Sequence, residues 1–361
     1  MNLLKVNTPK LIKEKMEEYF SQISIEYEEI HISNSLDRYL YEDIKSSINL
    51  PEYKKSTVDG YAVISKDTFG VSESMPIFLD ILGNVNMGEE VKLKTQEGCA
   101  VYVPTGGMIP EGADAMVMIE YTEKLDENTI AVNKPSAPND YIVQIGEDIK
   151  KGEIILKKGR RLKPQDIGAL SAIGISRIKV FKKPVVTIIS TGDELIPPDI
   201  KIKKGQTRDI NSYTIKALVE EYGGKVRKTL IVEDNYYKLK KTVEEAIDES
   251  HLIILSGGSS VGIKDATSKV LDSFGEPGVF VHGAAVKPGK PTILSYTENT
   301  AMIGLPGHPV SAAVVFRIFG QHVFNILLKK PHKIEAKILA TCLKNIHAAP
   351  GRETYQMVKL D

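Results

Sequence analysis

Residues 252–267 read LIILSGGSSVGIKDAT. An unbroken apolar run of strand length stops at Ser256, and Gly257, Gly258, Ser259 and Ser260 follow, with Asp265 a little further on. A short continuous apolar run closed by turn residues is the pattern of a strand buried on both faces. The neighbouring segments repeat that rhythm. PVVTIISTGDEL (184–195) is strand then turn, NSYTIKALVEEYGG (211–224) a helix with Asn211 or Ser212 as its cap and Gly223-Gly224 as its stop, and KVRKTLIVEDN (225–235) a second strand. YYKLKKTVEEAIDES (236–250) is a second helix, TSKVLDSFG (267–275) a third, and TAMIGLPGHPVSAA (300–313) a strand entering a helix through a proline-rich turn. Strands alternating with helices predict a doubly wound, mostly parallel α/β domain over 179–327.

Outward from that domain the texture changes. Between Lys54 and Val143, short β-rich runs such as YAVIS, PIFLDIL and CAVYVP are separated by Gly, Pro and Asn, which predicts an all-β domain over 46–143. Residues 1–45 and 144–178 form a mixed α/β domain. Leu11, Ile12, Met16, Tyr19 and Phe20 place an amphipathic helix there, Ser33-Asn34-Ser35 cap a short helix running to Ile44, and a further helix begins near Pro164. After Lys330, KIEAKILATCLKN and ETYQMVKL read as strands of a partial C-terminal β domain, 328–361.

Composition narrows the function classes. The 361 residues carry 47 Lys+Arg against 47 Asp+Glu, so no global charge draws the chain to nucleic acid or to an anionic membrane, and an anion site must be local. Two cysteines make no disulfide framework, the N-terminus lacks the apolar core of a secretory signal, and no uninterrupted apolar run is long enough to span a bilayer. These features predict a cytoplasmic protein.

In an open α/β sheet, ligands collect beyond the carboxyl ends of the strands. Here those ends carry Ser190–Glu194, Glu233–Asn235 and Ser256–Asp265. Ser256, Gly257, Gly258 and Ser259 offer hydroxyls and close-approach backbone to a phosphate. Glu194, Asp234 and Asp265 would repel it unless a cation such as Mg²⁺ lay between. The same residues would equally serve as a tight turn with acidic helix caps. VKPGKP (286–291) holds Lys287 and Lys290 on a proline-stiffened loop suited to a small oxyanion, or to plain solvation. GLPGHPVSA (304–312) fixes its backbone with Pro306 and Pro309 and offers Ser311 beside His308. In the β unit, STVDGYAV (56–63) contains an Asp-Gly pair common in hairpin turns, and PTGGMIPEGADAMVMIE (104–120) contains a Thr-Gly-Gly turn.

Together with GEDI and GRETYQMVKL, this ordered set resembles the molybdopterin molybdenumtransferase family, to which MoeA proteins and the E domain of gephyrin belong. The resemblance implies a homodimer of four-domain protomers whose α/β domain is like that of molybdopterin adenylyltransferases, the enzymes one step earlier in the pathway. It implies the reaction of adenylylated molybdopterin with molybdate to give molybdenum cofactor and AMP, with Mg²⁺. Lys287, Lys290, Ser311 and Arg352 match the molybdate site. Asp234, Asp265 and Glu194 match the acids near the metal and the phosphates, and Asp148 is a further family acid. Asp59 and Thr105 belong to the β domain, which in the family completes the partner subunit's cleft.

The chain departs from the family pattern at His308, where asparagine is usual, at Ser259, often valine, and at Gln144-Ile145, where arginines are common. Its C-terminal domain is shorter than the family's. The alternatives left open are an adenylyltransferase, a tungstate-inserting paralogue and an inactive scaffold.

Overall fold

Three segments, Val185–Thr191, Leu252–Gly257 and Thr300–Leu305, are rich in apolar and β-branched residues and buried along nearly their whole length, on both faces. Residues of that kind can only form the interior of a sheet covered on both sides. In the computed structural model they do so. It describes residues 6–257, 264–331, 338–343, 345–346, 348 and 350–359, with the backbone alone at 264 and 265. The chain divides into two units, residues 1–42, 157–167 and 176–361 in the first and residues 43–156 and 168–175 in the second.

The first unit is built on a six-stranded sheet. Its strands are β1 (Val185–Thr191), β2 (Lys225–Val232), β3 (Leu252–Gly257), β4 (Pro277–His282), β5 (Ile293–Thr297) and β6 (Thr300–Leu305). They lie in the order β2-β1-β3-β6-β5-β4. The pairings β1/β2, β1/β3 and β3/β6 are parallel, whereas β5 runs antiparallel to both of its neighbours. The crossovers use helices α1 (Asn211–Glu221), α2 (Tyr236–Ile247) and α3 (Lys264–Asp272).

One face of the sheet packs on Ile12, Met16 and Phe20 of the helix Pro9–Phe20 and on Phe316, Phe319, Val323 and Phe324, all at 0 % exposure. Burying each such side chain contributes about 1.5–3 kcal/mol before entropic costs. The other face packs on Leu239, Val243, Val270 and Leu271. Beyond Pro309 the chain is helical to Leu327, with a π turn at Phe316–Gly320. By length and composition this 19-residue stretch could cross a membrane, with mean hydropathy 1.4, and it is the one such helix among the described residues. Half of it is buried in the protein core, where its phenylalanines already have partners.

Local chemistry moves two elements away from the sequence expectation. No helix runs from Ser33 to Ile44. A single 3₁₀ turn, Ile32–Asn34, ends as the Ser35 hydroxyl donates to the Ile32 carbonyl. The amides of Leu40 and Tyr41 then bond to Arg160 and Lys179 rather than to a helical carbonyl. At α1 the capping acceptor is neither Asn211 nor Ser212 but Asp209, whose Oδ1 accepts from the Ser212 amide at 3.1 Å. The stop at Gly223 stands, with φ of 94°.

The second unit is a six-stranded β sheet in the order Ala115–Met118, Gly60–Val63, Cys99–Val103, Ile77–Asn84, Thr129–Val132, Thr122–Lys124. Its pairings are antiparallel except that between Ile77–Asn84 and Cys99–Val103. The Asp59-Gly60 pair is no hairpin turn. Gly60 begins a strand, and a Cβ there would lie 2.0 Å from the Val117 carbonyl oxygen, so the glycine is what lets two strands pair. Beyond residue 330, the described residues show one strand, Glu353–Thr354.

Candidate active site

Strand direction gathers the sequence motifs of the first unit on one edge. Thr191 pairs with Val232 and with Gly257, and Ser256 with Leu305, so the loops after β1, β2, β3 and β6 all leave the same side of the sheet. Because β5 is antiparallel, its first residue, Ile293, pairs with Gly304 near the end of β6 and with His282 at the end of β4. The loop 283–292, which carries Lys287 and Lys290, therefore opens at that edge too. Strand order reverses beside β1, so the switch point between the ends of β1 and β3, where open sheets of this kind form a crevice, lies at this edge. At its floor Gly257 has φ of 136°, and a Cβ would sit 2.2 Å from the Thr191 carbonyl oxygen.

Acids occupy one flank of the crevice. The Asp234 amide donates to Asp193 Oδ1 at 3.1 Å. Burial pushes the Asp234 carboxyl above its ordinary value, Asp193 and Glu194 push it the same way by repulsion, and the Thr191 hydroxyl opposes them. Asp234 Oδ1 is buried without a hydrogen-bond partner among the described residues. Asp234 and Glu194 thus lie within electrostatic reach of each other, together with Asp193. The described residues contain no group of three potential ligands already arranged around a metal position, and the Asp265 side chain, like Gly258 and Ser259, lies outside the described residues.

Cations occupy the other flank. Val286–Lys287 pairs in parallel with Glu353–Thr354, with the Glu353 amide bonded to Ala285 and that of Tyr355 to Lys287. This ladder places Arg352 next to the lysine loop despite the long sequence gap. Lys287 is exposed and Lys290 half-buried. The loop packs tightly on the helix that carries Ser311, since a Cβ at Gly289 would meet Val315 Cγ2 at 2.3 Å. Pro306 is buried, Pro309 opens the helix, and Ser311 is half-buried. His308 is an exposed N-cap whose carbonyl accepts from the Ala312 amide and whose side chain makes no capping bond.

In the second unit the structure joins Asp59 and Thr105. Asp59 Oδ1 accepts from the Thr105 amide at 2.7 Å and from its hydroxyl at 3.1 Å. The adjoining Gly106 and Gly107, with Tyr53, Met87 and Met108, line a groove of about 340 Å³. Asp148 sits on an exposed turn held by a bond from its amide to the Leu50 carbonyl.

Residues 11–174 match the family described as "MoeA N-terminal region (domain I and II)", and residues 187–325 match "Probable molybdopterin binding domain". A Methanocaldococcus jannaschii protein named for molybdopterin biosynthesis is 36 % identical over 98 % of this chain and 85 % of its own length. The molybdopterin molybdenumtransferase of Haemophilus influenzae is 34 % identical over 91 % of this chain and 80 % of its own length. The chain belongs to the MoeA family. The crystal structure of a Pyrococcus horikoshii molybdopterin biosynthesis MoeA protein superposes with a TM-score of 0.76 at 38 % identity, covering 90 % of this chain and 80 % of that one.

Two residues of this MoeA-family crevice escaped the sequence reading. Asp193 adjoins Glu194 in STGDEL and was legible as a second acid of the same turn. Alongside Ser212, Asn211 fits a helix cap by sequence. Its side-chain amide instead donates to Ser256 Oγ at 2.6 Å and to the Gly307 carbonyl at 2.8 Å, which ties the end of β3 to the proline turn. No sequence signal could separate that role from capping, because both need the same residue at the same helix start.

Proposed function

We propose that this chain inserts molybdate into adenylylated molybdopterin and releases AMP. The observation that carries the reading is the convergence on one sheet edge of an acid flank and a lysine–arginine flank. A tetrahedral dianion needs fixed cations and donors, and Lys287, Lys290, Arg352 and Ser311 supply them. A phosphoanhydride needs close backbone and hydroxyls, supplied by Ser256 and Gly257. Holding the two substrates in contact removes much of the entropic barrier, and the cations offset the charge that gathers as dithiolene sulfurs replace oxygen on the metal, the oxygen leaving as water with the thiol protons, and as a water molecule adds across the phosphoanhydride so that AMP departs.

The donor chemistry also fits Mg²⁺. The ion keeps several waters and takes one or two carboxylates plus phosphate oxygens, so a full protein cage is not required. Asp234 has a buried oxygen with no partner among the described residues and a carboxyl whose repulsions a cation would relieve. Asp234 and Glu194, with Asp265, would hold the ion. When bound it would supply charge neutralisation at the phosphates. In this reading the protein is a cytoplasmic homodimer acting after a molybdopterin adenylyltransferase and engaging neither nucleic acid nor membrane. Asp59 and Thr105, pre-arranged by their own hydrogen bonds, complete the partner's crevice, and Asp148 adds a further acid.

The test is AMP release by the purified chain from adenylylated molybdopterin, with and without molybdate and Mg²⁺. Molybdate-dependent release supports the reading. Turnover of ATP and unmodified molybdopterin instead would make the chain an adenylyltransferase, release with tungstate alone would change the oxyanion, and no turnover of either pair would leave a scaffold.

A further inference from the structure

Asn211 makes more of its amide nitrogen than of its oxygen. Nδ2 serves both Ser256 Oγ and the Gly307 carbonyl, while Oδ1 is buried with no partner among the described residues. The orientation of the amide is fixed by chemistry. The Gly307 carbonyl can only accept, so the nitrogen must face it, and turning the group over would set two oxygens against each other. A buried carbonyl without a donor is costly and uncommon, and each one calls for an explanation.

Its place supplies one. Asn211 starts α1 and is bonded to the last turns of β3 and β6, so its oxygen lies at the same sheet edge as the crevice. Asp234 Oδ1, on the far side of β1, is likewise a buried acceptor without a partner among the described residues. Two buried acceptors lacking partners at one edge are accounted for if a ligand supplies what each lacks, a cation at Asp234 and a hydrogen-bond donor at Asn211.

We propose that Asn211 is a substrate-binding residue whose Oδ1 accepts a hydrogen bond from an N–H or O–H donor of the pterin nucleotide, while its Nδ2 holds Ser256 and Gly307 in position. This rests on the molybdenumtransferase reading and sharpens it by naming a neutral acceptor among the charged groups. An amide oxygen discriminates without adding charge to an edge already rich in carboxylates. The donor comes from one of two parts of the substrate, the ribose and adenine of the nucleotide or the amino-oxo edge of the pterin.

Binding of AMP and of 6-hydroxymethylpterin to the full chain, measured by calorimetry, separates the two. Each is compared with analogues lacking one donor: 2′-deoxy-AMP, 3′-deoxy-AMP and purine riboside 5′-monophosphate for the nucleotide, and the 2-desamino pterin for the other. The wild-type chain is expected to bind one parent ligand roughly tenfold tighter than its donor-deficient analogue. Asn211→Ala should abolish that discrimination, and so should Asn211→Ser, whose hydroxyl is one atom too short to reach the same donor. Equal weakening of every ligand by Asn211→Ala, with discrimination intact, would reduce Asn211 to a strut and overturn the proposal, as would discrimination unchanged in a folded Asn211→Ala chain. If Asn211→Ala does not fold, discrimination kept intact by a folded Asn211→Ser chain overturns the proposal equally. Wild-type AMP release from adenylylated molybdopterin in the same preparations shows whether the broader reading stands when this one falls.

Discussion

The two ends of the same parallel strands are made of similar residues and finished in opposite ways. At the amino end, the Thr187 and Ser250 hydroxyls bond to each other at 2.7 Å, and the Thr300 hydroxyl donates to Ser250 and Ile247 carbonyls. The Val185 amide donates to His251 Nδ1 at 3.1 Å, and the His251 amide returns a bond to Val185. These groups are satisfied within the protein. At the carboxyl end Asp234 and Asn211 keep buried oxygens without partners among the described residues, three acids crowd one turn pair, and two lysines sit on a stiff loop. Polar groups closed on each other stabilise a fold, and polar groups left open are paid for by a ligand. The comparison predicts opposite signatures for substitutions at the two ends.

The largest contrast is expected at Lys287. Lys287→Ala removes an exposed cation that supports no packing, so urea unfolding should shift by no more than about 0.5 kcal/mol. Molybdate-dependent AMP release should fall about a hundredfold or more, the scale of losing one fixed charge at a developing anion. Unchanged turnover would remove the lysine loop from the site. The reverse signature belongs to Thr187, which is wholly buried at the amino end. Thr187→Val leaves the Ser250 hydroxyl without its partner and should cost about 1–2 kcal/mol in urea, with AMP release per folded molecule preserved. A loss of activity without loss of stability there would erase the distinction between the ends.

How much of this was legible before the structure depends on the kind of signal. LIILSGG and VVTIIST specify buried strands by their own composition, so the α/β sheet and the edge that carries the motifs could be read directly. The antiparallel β5 could not, because a strand's direction is set by its partners and not by its residues. The false helix after Ser33 shows the same limit. SNS is good capping chemistry, but Leu40 and Tyr41 find stronger partners in segments far along the chain. Lys287 and Arg352 could be placed together only by family resemblance, since what joins them is a two-residue ladder with no pattern of its own. Asn211 stayed hidden because a helix start explains an asparagine well enough.

A smaller effect is expected at the amino end on acidification. Burial holds the His251 imidazole below its ordinary value of 6.5, against the opposing pull of Glu26. The folded protein therefore binds fewer protons than the unfolded chain in that interval. The contribution is complete above pH 6.5 and is lost as pH falls through the lowered folded value, where protonating Nδ1 also breaks its bond to the Val185 amide. Urea unfolding in steps below neutrality should show a loss of up to about 1 kcal/mol from this group. His251→Phe should flatten that portion of the profile, and a profile identical in both chains would assign the acid sensitivity elsewhere.

The smallest effect has the most to say about the open end. Asp234 is the converse of His251, with its folded value raised by burial and by Asp193 and Glu194. Its favourable contribution is complete below the ordinary carboxylate value of 3.8 and is lost as pH rises through the raised one, so at neutral pH the metal-free fold carries the full repulsion. Asp234→Asn removes that repulsion with little change of shape. Without Mg²⁺ it should stabilise the protein slightly, on the order of 0.5 kcal/mol after allowance for solvent screening. With Mg²⁺ in millimolar excess the wild-type chain should gain stability and the variant should not, because only the carboxylate can exchange repulsion for a cation. The crossing of those two responses is what marks an edge held open for a ligand. If Asp234→Asn were less stable under both conditions, Asp234 would be serving the fold as Thr187 does, and the two ends of the sheet would differ in composition alone.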